Sequence, residues 1–134
     1  MAKVISPSRC AGAHLIAENS AALLSWSLVS LDWGFASLPA ATDKVEWVAV
    51  DADKTYDADN ETVKQEKVNV LILEDNTKIE MPVTNGTIAQ ANVGATYNLV
   101  TGWASVDGAT SATGVVLTLV EVLTTTKGIF KRAK

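Results

Sequence analysis

His14 is the only histidine and Cys10 the only cysteine among 134 residues, so any imidazole triad, thiol nucleophile or histidine-bound metal must be built on those two side chains. They stand close together near the start of the chain, in a stretch with little to hold a reactive group rigid, and two ligands cannot close a zinc site that needs three. The carboxylates give a second test. Asp51, Asp53, Asp57 and Asp59 approach the spacing of a calcium loop, but a pattern starting at Asp51 requires glycine at 56 and glutamate at 62, where the chain has Tyr56 and Thr62. Gly12, Gly34, Gly86 and Gly94 are isolated at turns, so no phosphate-cradling loop is present. The expectation is a chain with no catalytic residue, no metal ligand set and no cofactor, and residues 51–61 read as a solvated acidic loop.

Tryptophan supplies four of the eight aromatic residues, and Trp26, Trp33 and Trp47 all fall in the first third. Indoles on a β scaffold can stack on sugars. Most of these, however, lie in phase with aliphatic neighbours, which favours packing in a core or an interface.

Positioning such side chains calls for strands. Apolar residues make up 48% of the chain and charged residues 19%, and fourteen threonines suit half-buried pleated faces. From residue 44 to residue 130 the chain alternates short apolar runs with turn residues. Residues 115–122, apolar except for Thr118 and Glu121, read as a strand buried on both faces and as the spine of the core. The run Val68-Asn69-Val70-Leu71-Ile72-Leu73, then Glu74-Asp75-Asn76-Thr77, then Lys78-Ile79-Glu80-Met81 reads as a hairpin turning at Asp75-Asn76. In residues 20–36 alternation outweighs helical spacing and predicts two strand segments with a phase break near Val29. The fold class expected is all-β: a small β-barrel or β-sandwich of six to eight short strands, with residues 1–12 as an extended N-terminal arm and residues 13–134 as a single β domain.

The formal charge is −4, which argues against direct nucleic-acid binding. Its distribution matters more, because eleven of the fifteen acids fall in residues 43–80 while the ends are basic. No export signal or membrane span is expected, so the protein is expected to be soluble and made in the cytoplasm. Asn60-Glu61-Thr62 and Asn85-Gly86-Thr87 match the glycosylation sequon but read as ordinary turns. The basic residues Lys3, Arg9, Lys127, Lys131 and Arg132 are the candidate interface, docking on an acidic surface while the acidic middle faces away.

Residues 44–131 resemble the capsid decoration, or cement, proteins of tailed bacteriophages. The resemblance is carried by Val48-Ala49-Val50-Asp51-Ala52-Asp53, by Glu80-Met81-Pro82-Val83-Thr84-Asn85-Gly86-Thr87-Ile88-Ala89-Gln90-Ala91-Asn92-Val93-Gly94, and by Leu117-Thr118-Leu119-Val120-Glu121-Val122 leading to Gly128-Ile129-Phe130. It implies a compact β domain, a homotrimer near a symmetry axis of the head, the major capsid protein as partner, and a structural, non-enzymatic role on the outer capsid surface of the virion. The rival expectation is a carbohydrate-binding β-sandwich module of a phage tail or fibre, stacking sugars on Trp47 or Trp103.

Overall fold

A computed structural model of the chain describes residues 3–6, 12–51, 53–100, 105–111 and 113–133. The described residues are mostly strand, and the all-β class expected from the sequence is what they show. In chain order the strands are β1 (Lys3–Ser6), β2 (Gly12–Ile16), β3 (Ala22–Leu23), β4 (Leu28–Asp32), β5 (Phe35–Ser37), β6 (Trp47–Asp51), β7 (Lys54–Thr55), β8 (Lys67–Ile72), β9 (Lys78–Thr84), β10 (Thr96–Tyr97), β11 (Val106–Asp107), β12 (Leu117–Thr124) and β13 (Lys127–Arg132). Eight of them have four or more residues; the others are pairs or triplets that close corners.

The strands form two rings. In the first, the order β2-β8-β6-β4-β5 returns on itself where Ala17 bridges Ala36 and the Glu18 N–H donates to the Ala36 carbonyl at 2.8 Å. Alternation puts Val29, Ala49, Val68 and Val70 inside, joined by Ala17 and Ala36, with Leu23 and Tyr56 buried in the same cluster. In the second, the order β9-β13-β12-β10 continues through a bridge between Leu99 and Val106 to β11, which runs parallel to β9 at Val106–Val83. Met81, Val83, Tyr97, Leu99, Leu117, Leu119 and Phe130 fill it, with the Tyr97 and Phe130 rings edge to face at 5.9 Å. Closing a sheet this way removes exposed edges, which a chain with so many short strands would otherwise present. β1 pairs with β9 at Lys3–Glu80 and Val4–Ile79, on the edge of β9 opposite β13.

The rings are packed together. Leu28 and Val48, on the outward face of the first ring, and Val45 and Leu73 belong to the same buried cluster as the interior of the second. β6 is therefore covered on both faces: Val48 toward the second ring, Ala49 toward the centre of its own.

Three expectations need correction. The segments around Asp75-Asn76 do not pair as a hairpin: β8 lies between β2 and β6 with both edges taken, so β9 must start a new sheet. The turn keeps its local bonds, Thr77 N–H to the Glu74 carbonyl at 3.1 Å and Glu74 N–H to Thr77 Oγ1 at 3.1 Å. Neither Asp75 nor Asn76 has the positive φ that a tight two-residue hairpin needs. Secondly, the break in residues 20–36 is not at Val29, which sits inside β4. It falls at the turn before β4, where Trp26 has φ 64, and at Trp33-Gly34, where φ values of 52 and 87 make the two-residue turn joining β4 to β5. Thirdly, β12 is not buried on both faces. β10 covers only Leu117 and Thr118, and irregularities near Val120 and Leu123 bend the strand, so Val115 and Leu123 are exposed. The central strands of the second ring are β9 and β13.

Candidate functional site

Lysines converge on one outward sheet face. Along β9 the inner positions are Ile79, Met81 and Val83 and the outer ones Lys78, Glu80 and Pro82. On β13, Phe130 lies inside, and Lys127, Ile129 and Lys131 take the opposite parity. Register pairs Lys127 with Pro82 and Ile129 with Glu80, so Lys78, Lys127 and Lys131 share a face with Glu80 between them. The Lys127 ammonium lies 3.4 Å from the Glu80 carboxylate. Opposite Lys131 stands Thr118 of β12, and opposite Ile129 stands Glu121. The face is thus lysine-rich but mixed in sign, which gives orientation to a docking partner without the concentrated positive charge that phosphates demand.

The sequence-derived interface residues fall on and around this face. Lys127 and Lys131 are on it, and the backbone of Lys3 pairs with Glu80 beside it. Arg132 has the parity of Phe130 and its guanidinium donates to Asp75 at 2.6 Å, tying the end of β13 to the turn between the rings. Arg9 lies outside the described residues. Lys78, which the sequence reading omitted, joins through strand register, and its alternation with Ile79 and Met81 was the available signal.

The residues weighed for chemistry are dispersed. His14 is exposed on β2 opposite Asn69, and Cys10 lies outside the described residues. Asp53, at φ 56, accepts from the Ser25 N–H at 2.9 Å, while Lys54 reaches Glu66 and stands 4.7 Å over the Tyr56 ring. The bond to Glu66 is the main reason the Lys54 ammonium is held above the ordinary lysine range. Asn60, in the first sequon, is fully buried. Among the described residues no three His, Cys, Asp or Glu side chains are placed to hold a metal ion. Trp47 packs against the interior of the first ring, and Trp103 lies outside the described residues.

One carboxyl stands apart. Glu18, which follows the bridge closing the first ring, is pushed up to about 7 by burial, by a hydrogen bond with Asp32 and by the negative charges of Asp32 and Glu61. The pair stands beside the β4–β5 turn that carries Trp33.

Compared with protein-family models, curated proteins and solved structures, the chain matches none.

Proposed function

We propose that this protein is a virion structural protein, a decoration or cement protein that binds the assembled major capsid protein on the outer capsid surface and stabilises the head as a homotrimer. The observation that carries the reading is the convergence of Lys3, Lys127 and Lys131, residues far apart in sequence, on the neighbouring strands β1, β9 and β13. Ring closure makes this face stiff, and a stiff face loses little freedom on docking. Screened lysine contacts contribute about 0.2–1 kcal/mol each, so they orient the protein while buried apolar area supplies affinity. Around a symmetry axis the same modest contact is repeated, and avidity rises without new chemistry.

Sedimentation with empty heads tests this. Wild-type protein pellets with the shells, and the Lys78→Glu, Lys127→Glu, Lys131→Glu triple variant does not, with binding falling as salt rises. Co-sedimentation unaffected by the three reversals sinks the assignment of the face, and no co-sedimentation of the wild type sinks the function. The carbohydrate reading loses ground at Trp47, whose indole packs against the first ring's interior.

A further inference from the structure

The large apolar side chains left exposed among the described residues are not scattered. Four of the eight, Leu24, Trp26, Leu31 and Trp33, fall within ten residues, around the two ends of β4. At one end the β4–β5 turn holds Trp33 in solvent, 94% exposed, at positive φ. A two-residue turn of this hand favours asparagine followed by glycine, and a bulky side chain in the left-handed region is disfavoured. Tryptophan at this position neither fills a core nor suits the turn, so its contribution lies outside its own chain.

At the other end of the same hairpin, the segments before β4 and after β5 border a groove of about 480 Å³ lined by Leu23, Leu24 and Leu38, with Asp53 and Lys54 among its polar residues. That volume is within the range of pockets that enclose a compact apolar group, about 300–1,000 Å³. The five residues of β4, at about 3.3 Å each, separate finger from groove, so Trp33 cannot fill the groove of its own chain.

We propose that Trp33 of one copy inserts into the Leu23–Leu24–Leu38 groove of the next, a head-to-tail contact between copies of this chain. Charge follows the same direction. Asp32, sharing a hydrogen bond with Glu18, flanks the finger, and Lys54 flanks the groove. One indole buries roughly 150–250 Å², far below the ~1,200 Å² of a stable interface. A single contact is therefore weak, and a closed ring, in which every copy gives one finger and receives one, is the stable form. The inference does not rest on the virion reading, because the lysine face is on the other ring.

Sedimentation velocity on the full chain, with circular dichroism to verify folding, tests it. The wild type associates as concentration rises from micromolar toward millimolar. Trp33→Asn, which suits the turn, and Leu24→Glu, at a position already 40% exposed, each weaken association at least tenfold. Lys54→Glu is a second groove-side variant should Leu24→Glu fail to fold, and it weakens association as well. Mixing Trp33→Asn with Leu24→Glu restores association that stops at a heterodimer, since one variant keeps its groove and the other its finger. A wild type that stays monomeric, variants that associate like the wild type, a mixture that does not pair, or a monomer that binds saccharide through Trp33 each overturns the proposal. Failure here leaves sedimentation with heads as an independent test of function.

Discussion

Asn60 shows how much one side chain settles in this protein. Fully buried, it donates from Nδ2 to the carbonyls of Ala17 at 2.7 Å and Glu66 at 3.2 Å and accepts from the Glu66 N–H at 3.0 Å, tying the end of β2 to the start of β8. Every polar atom of its amide head has a use there, as burial requires. The Tyr97 hydroxyl is the contrast, since it is buried in the second ring without a hydrogen-bond partner among the described residues. Glu18 is the residue with a pH signature. Its acid form is favoured by the fold, because the folded pKa of about 7 lies above the model value of 4.5. The stability it contributes is therefore complete below about 4.5 and is lost as pH rises through about 7. Carboxyl NMR is expected to show Glu18 titrating near neutrality and Asp32→Asn lowering that midpoint, with the wild type's loss of stability between pH 4.5 and 7 reduced in the variant. A Glu18 midpoint in the usual carboxylate range would remove the pair from the account.

Among the elements, the β4–β5 hairpin and the β8–β9 connection invert the local rules. Asp75-Asn76 has turn chemistry but joins two sheets, whereas Trp33-Gly34 reads as part of an alternating strand and makes the tight turn. The reason is positional: β8 has both edges occupied, while β4 has an edge free for β5. Relieving the left-handed strain at Trp33 tests the hairpin by itself. Trp33→Asn should stabilise the monomer by up to ~1 kcal/mol, read as a higher denaturant midpoint at unchanged slope. A destabilised variant would mean that the indole packs on its own chain. Gly114 constrains the second ring in the opposite way, because a Cβ there would sit 2.1 Å from the Tyr97 backbone.

At the scale of the whole molecule, two rings behave as one body because Leu28 and Val48 of the first share a cluster with the interior of the second. Leu28→Ala should cost about 2–5 kcal/mol and lower the unfolding midpoint of both rings together, followed by near-UV and far-UV dichroism. Separate transitions in the wild type would show that the shared cluster does not couple them. The sequence by itself determined the β class, the alternation of β9, the turn at Asn85-Gly86 and the extent of β13 to within a residue or two, because strand periodicity and turn chemistry are local properties. It also supplied Lys127 and Lys131 as surface cations. Only the tertiary structure decided that Lys78 joins them, that Val48 is covered from outside its own ring, that β12 is half exposed and that Trp33 stands in solvent. Each of these depends on which strand lies alongside which, and ring closure between residues as distant as Ala17 and Ala36, or Val83 and Val106, leaves no periodic trace in the chain.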